Sequence, residues 1–238
     1  MRLQQYLNEG RSVGIDEATA ISEIKKNCWN NYKFFLKKRE WIFRGIKRKS
    51  NWYIKIDSNI GEPRVSANAR NNYYTLLMDN LPSWSKYPLR SRSIICSTND
   101  EVARDYGTLY VVIPYDDANI GIASNEDIWA SFKMGSLNDF NEFLGRAFIE
   151  HGLKVGQSSY KNLEKALIEI NKSGKKDGDK YNIFDKDRDV MKQLDRIMSP
   201  KYNGFKHGIK NMSPHKEVWI QGKSILVNEY IFWGMMED

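Results

Sequence analysis

Cysteine is scarce in this chain: Cys28 and Cys96 are the only two in 238 residues. Both lie inside apolar patterns, which excludes a disulfide-built scaffold and reads as two reduced core thiols in a reducing, cytoplasmic compartment. Histidine is nearly as rare. His151, His207 and His215 are the only three, and no two stand at helical ligand spacing, so no metal site is expected. No apolar run approaches the length of a membrane span and no signal-like segment is recognised, so no membrane partner is expected either. The glycine-rich phosphate loops are missing as well. No Gly-x-Gly-x-x-Gly follows a strand, and Gly204 and Gly208 lack the Gly-Lys-Ser/Thr ending of a phosphate-binding loop.

What is present is enough apolar material for a core, 41% of residues with 13% aromatic, so the chain is globular and not disordered. The formal net charge of +7 favours an anionic partner: a nucleic acid, a nucleotide or an acidic protein face. Neither repeats nor linker-like segments interrupt the chain, so residues 1–238 read as one α+β domain with a mixed or antiparallel sheet.

Residues 1–15 read as a short leader, with Leu3 and Leu7 on one side of a helical turn and breaks at Gly10 and Gly14. Asp16 then caps one long helix reaching about Arg39. Its buried stripe is Ile21, Ile24, Cys28, Tyr32 and Phe35, and its outer face carries Lys25, Lys26, Lys33, Lys37 and Lys38. Strands are expected at 41–46 and 52–57 around the basic turn Lys47–Ser50, the second with Trp52, Ile54 and Ile56 on its inner face. A helix over 67–81 stops at Pro82, and an irregular basic stretch leads to a strand at 92–98. Further strands are expected at 108–114, 118–122, 217–221 and 224–228, with an apolar tail from Tyr230 to Trp233. Between them, residues 136–200 form a helical insertion with a polar loop over 172–185.

Three strand ends carry chemistry. Arg44 interrupts an apolar strand in Trp41-Ile42-Phe43-Arg44-Gly45, and a buried arginine requires an anion or several carbonyl partners. It is either a structural ion pair or a fork on a ligand's phosphates, with Gly45 letting the ligand approach the backbone. Ser97 and Thr98 end the strand Ile94-Ile95-Cys96 with two hydroxyls, where capping and ligand binding are both open. Glu217 opens the strand Glu217-Val218-Trp219-Ile220. It is either an exposed strand-end carboxylate or one that stabilises an oxocarbenium-like transition state in glycosidic cleavage.

The order Phe43-Arg44-Gly45, Ile95-Cys96-Ser97-Thr98-Asn99, Glu217-Val218-Trp219-Ile220 resembles the Arg-Ser-Glu class of mono-ADP-ribosyltransferases, the group of cholera-type toxins and phage-head transferases. That resemblance implies a transferase sheet with the helical insertion between its Ser and Glu strands, and NAD⁺ as the substrate. It implies that Arg44 anchors the dinucleotide, that Ser97 orients the glutamate and that Glu217 is catalytic. Tyr106, Tyr110 and Trp129 are then the candidates to stack on nicotinamide, with Gly45, Ser97 and Thr98 lining the dinucleotide site. Arginine-modifying members carry a second glutamate two residues before the catalytic one. His215 stands there in this chain, as a candidate base for the acceptor.

The activity so implied is cleavage of NAD⁺ with transfer of ADP-ribose to a macromolecule, a nucleic acid ahead of a protein. The setting implied is the cytoplasm of a bacterial host, with phage delivery and an inhibitory partner protein as accompanying expectations. The competing readings are a non-catalytic nucleic-acid-binding or virion structural protein, a protein-arginine transferase, and an NAD⁺ glycohydrolase.

Overall fold

The computed structural model describes residues 11–47, 51–61, 63–64, 75, 77–132, 195–196 and 198–237. Where the sequence suggests one domain, the chain divides into two compact units. The first comprises Met1–Ala67, Tyr87–Ser131 and Phe205–Asp238, and the second comprises Asn68–Lys86 and Phe132–Gly204. The expected helices and loop within 136–194 lie outside the described residues, as do residues 1–10 of the expected leader and most of the basic turn 47–50.

The first unit is α+β, built on one nine-stranded sheet. Its strands are β1 (Arg11–Ile15), β2 (Phe43–Ile46), β3 (Tyr53–Asp57), β4 (Ile94–Ser97), β5 (Thr108–Pro114), β6 (Asn119–Ile122), β7 (Lys206–His207), β8 (Glu217–Gln221) and β9 (Lys223–Asn228). They run in the order β1-β3-β9-β5-β2-β4-β8-β6-β7. Every described pairing is antiparallel, so of the mixed or antiparallel alternatives the second holds. The central strands β5, β8 and β9 are Val/Ile/Leu-rich and buried nearly throughout, as strands covered on both faces must be. Residues 11–15, expected in a leader, are instead strand β1, paired with β3 from Arg11 to Asp57. Trp52, expected on the inner face, lies outside β3 and is 55% exposed, while Tyr53, Ile54 and Ile56 are buried.

Two helices replace the single long one expected. In α1 (Glu17–Asn27) the Asp16 side chain caps the first turn by accepting from Thr19 N at 2.8 Å. The chain leaves helical geometry at Cys28 (φ −122°, ψ 7°) and re-enters it in α2 (Trp29–Lys38). The new N-terminus is capped from elsewhere: Asp116, in the turn after β5, accepts from Asn30 N at 3.2 Å and Asn31 N at 3.0 Å. The predicted stripe survives the break, because Ile24, Cys28 and Phe35 are all buried in the core. Its five lysines are exposed.

Among its described residues the unit has three further helices: α3 (Asp100–Arg104), α4 (Ile128–Ser131) and α5 (Glu229–Glu237). The last is the expected apolar tail, wound into a helix that sets Phe232 edge-on against Trp41 with ring centroids 4.7 Å apart. In the second unit, residues 77–80 are helical and a 3₁₀ turn follows at Pro82–Trp84. There the Trp84 indole donates to Met198 O at 2.9 Å. No helix among the described residues is long and apolar enough to cross a membrane.

Candidate functional site

Cross-strand register brings the three strand ends together. Phe43 of β2 pairs with Ser97 of β4, and Ser97 pairs with Glu217 of β8. The β2–β4 ladder is that single pair. One residue further on, a side chain bridges the two strands where the backbone ladder has ended, since Arg44 Nη1 donates to Ile95 O at 2.6 Å. A cleft of about 300 Å³ opens beside this point, within the first unit, and Arg44, Gly45, Ser97 and Glu217 all line it. Their burial shows how completely the site lies below the surface: Arg44 is 8% exposed, Ser97 5% and Glu217 7%.

The walls bring in residues that the motif does not include. Arg64 and Arg90 place two more guanidinium groups on the cleft, and Glu126 and Asp127 supply carboxylates from the segment before α4. Tyr106 closes another side, with the Arg44 guanidinium carbon 5.9 Å from its ring centroid, at the outer limit of a cation–π contact. Helix α3 forms the wall between, through Val102 and Ala103. Asn99 caps that helix, its side chain accepting from Glu101 N at 3.1 Å.

The Glu217 carboxylate is held differently from the expectation. Ser97 Oγ accepts from Asn99 N at 2.9 Å and makes no hydrogen bond to Glu217, although the two residues are register partners. The carboxylate takes its bonds from three other donors. Arg90 Nη1 reaches Oε1 at 2.7 Å, Trp219 Nε1 reaches the same oxygen at 2.5 Å, and Ile128 N reaches Oε2 at 3.1 Å. Arg90 also lies over the Trp219 indole, its guanidinium carbon 4.8 Å from the ring centroid. Ser97 therefore shapes the β4–α3 turn, and the orienting role expected of it falls to Arg90 and Trp219.

Gly45 likewise has a different reason from the expected one. A Cβ at that position would stand 1.9 Å from Ala103 O, so the glycine is required by the approach of α3 to β2. Thr98 is not among the cleft-lining residues. Its hydroxyl donates to Ser213 O and accepts from Lys216 N, both at 2.9 Å, and so ties down the loop entering β8.

The remaining candidates separate. Tyr110 is fully buried in the core, its hydroxyl donating to Asn51 O at 2.8 Å, and it does not line the cleft. Trp129 belongs to α4 by its backbone, and its side chain lies outside the described residues. His215 sits at an exposed left-handed position (φ 59°), with Nδ1 2.7 Å from Glu126 Oε1 and 3.2 Å from Asn99 Nδ2. Hydrogen bonds from Asn99 and then His215 hold the Glu126 carboxyl below its ordinary value. Because Glu126 lines the cleft, His215 is attached to the cleft rim without lining it.

Chemically, the cleft is lined by three guanidinium groups, Arg90 among them paired with Glu217, and by the carboxylates of Glu126, Asp127 and Glu217, the last fixed by three donors. Such a set can bind a phosphorylated ligand and place a fixed negative charge where positive charge develops. Comparison of the chain with protein-family models, with curated proteins and with solved structures finds no match.

Proposed function

We propose that this protein is a mono-ADP-ribosyltransferase that cleaves NAD⁺ at the nicotinamide–ribose bond and transfers ADP-ribose to a macromolecule. The observation that carries the reading is the convergence of Arg44, Ser97 and Glu217, from three strands far apart in sequence, on one cleft. In this reading Arg44, with Arg64 nearby, attracts the diphosphate, while Arg90 is engaged with Glu217. Of the three aromatic candidates, Tyr106 is the one among the described side chains that lines the cleft, alongside Phe43, and it takes the role of stacking on nicotinamide.

The reaction needs little covalent help from the protein. The C1′–N bond breaks with its electron pair leaving on nicotinamide, which departs neutral, and the ribosyl carbon takes on positive charge. The Glu217 carboxylate stabilises that charge and holds the neighbouring ribose hydroxyl, and a nucleophile then bonds to C1′ and loses a proton. The exposed lysines of α1 and α2, with Lys206 and Lys210 ahead of β8, favour a nucleic acid as the acceptor over a protein.

The test is nicotinamide release from NAD⁺ by wild type and by Glu217→Gln. Release is expected from wild type and should fall by roughly 10³–10⁴-fold in the variant with the fold intact, since the amide keeps the shape and loses the charge. ADP-ribose label in a lysate should vanish with nuclease and survive protease. A Glu217→Gln protein as active as wild type would remove the residue from the chemistry.

One observation favours a second reading: the Arg90–Glu217 contact is a buried ion pair, with both side chains under 10% exposed. In a non-catalytic nucleic-acid-binding protein that pair would be structural and the cleft would hold a phosphate without cleaving anything. Absence of nicotinamide release from folded wild type would select that reading.

A further inference from the structure

The donors on Glu217 are unevenly shared between its two oxygens. An ionised carboxylate offers about four lone-pair positions, two on each oxygen. Oε1 receives both side-chain donors, Arg90 Nη1 and Trp219 Nε1, and among the described residues Oε2 receives only the backbone amide of Ile128. One oxygen is saturated by its anchors, and the remaining acceptor position belongs to Oε2.

The anchors are themselves anchored. Arg90 lies on a 3₁₀ turn, Arg90–Arg92, fastened on either side. Leu89 N donates to Gln221 Oε1 at the end of β8 at 2.8 Å, and Ser93 Oγ donates back to Leu89 O at 2.7 Å. Arg64 N reaches Ser91 O at 2.7 Å. Trp219 is fully buried on β8, two residues from Glu217, and packs on Phe205 with ring centroids 4.7 Å apart. The Trp219 ring thus carries Arg90 on its face while its Nε1–H holds Glu217. A buried ion pair contributes little to stability that well-packed apolar groups could not, because desolvation offsets the attraction. A pair built with this many supports beside a cleft fits the fixing of one carboxylate in one rotamer.

Resting on the transferase reading of the cleft, we infer that Arg90 and Trp219 are positioning residues for Glu217. They clamp Oε1 so that Oε2 is the oxygen presented to the ribose. Neither is required to hold the dinucleotide. Removing one of them lets the carboxylate turn, so the loss falls on kcat and spares KM.

The experiment measures kcat and KM for nicotinamide release in Trp219→Phe, Arg90→Gln and Arg90→Lys, with Glu217→Gln as the reference. Trp219→Phe deletes the Nε1–H donor together with part of the ring and keeps an aromatic face beneath Arg90. Its kcat should fall about tenfold with KM within about twofold. Arg90→Gln should lose about a hundredfold or more in kcat, and Arg90→Lys, which restores the charge without the fork, should recover part of that. An activity-independent signal accompanies this. The Trp219 Nε1–H resonance should be downfield and slow to exchange in wild type and should lose both properties in Arg90→Gln. Loss confined to KM would make Arg90 a phosphate ligand and overturn the inference. So would unchanged kinetics in Trp219→Phe and Arg90→Gln beside an inactive Glu217→Gln. Wild type that releases no nicotinamide would instead overturn the transferase reading, and this inference with it.

Discussion

Arg44, Ser97 and Glu217 are legible as singular residues because Arg44 interrupts an apolar strand, Ser97 ends one and Glu217 opens one, and a polar group so placed needs a reason. Their partners were not legible. Arg90 stands in the run Leu89-Arg90-Ser91-Arg92, and nothing local distinguishes it from Arg92. Only the tertiary path of the turn buries the first and leaves the second half exposed, donating to Gly61 O at 2.5 Å. Trp219 read as core, which it is, and its indole N–H gave no sign in the sequence of serving Glu217. Gly45 lines the cleft as expected, and nothing in the sequence marks its other neighbour, since the clash it avoids is with backbone from another element. That assignment makes its own prediction: Gly45→Ala should destabilise the fold by roughly 2–4 kcal/mol, because a backbone carbonyl at 1.9 Å cannot move aside as a side chain can. Chemical denaturation would measure it, and an unperturbed Gly45→Ala midpoint would contradict the packing described.

At the scale of elements, hydrophobic period located most of the strands of the sheet to within a residue or two. The break between α1 and α2 was hidden because its cap, Asp116, is 85 residues from Asn31. Strand β1 was hidden because Arg11–Ile15 has too few apolar residues to announce itself and is defined by pairing with β3. Helix α1 is tied to the sheet by Glu23, whose carboxylate meets Lys55 of β3 at 2.6 Å, the Tyr115 hydroxyl, and Asn27 at 2.7 Å. Burial alone would push the Glu23 carboxyl up, but the bonds from Lys55, Tyr115 and Asn27 outweigh it and bring it down to about 2, from an ordinary 4.5. A carboxyl lowered by folding stabilises the fold above its unfolded pKa, and that stability is lost as pH falls through the folded value. Unfolding free energy should therefore decline between about pH 4.5 and pH 2, by roughly 2–3 kcal/mol from this group. Glu23→Gln should flatten the decline in that window, and a denaturation series showing the same acid limb in both proteins would contradict the assignment. The Cys28 thiol sits close by, driven up to about 12 chiefly by burial, and belongs to the packing of this corner.

For the whole molecule, composition and pattern were enough for an α+β protein with a large sheet, since alternation and helical period are local properties. Strand order was out of reach. The sequence neighbours β5 and β6 do not pair, and β2 finds its partners in β4 and β5. The division into two units was also out of sight, because the second is assembled from two separate segments and no linker composition marks its edges. The transferase proposal requires that NAD⁺ bind in the cleft formed where β2, β4 and β8 meet. The most direct measurement is an NMR titration of the labelled protein with NAD⁺. Saturable shifts are expected at Arg44, Ser97, Val102–Tyr106, Glu126–Asp127 and Glu217, with the Arg90 and Trp219 side-chain N–H signals among them. Backbone signals that stay still at saturating NAD⁺, or shifts gathered at the apolar hollow of Ile21, Trp29 and Met235, would contradict it.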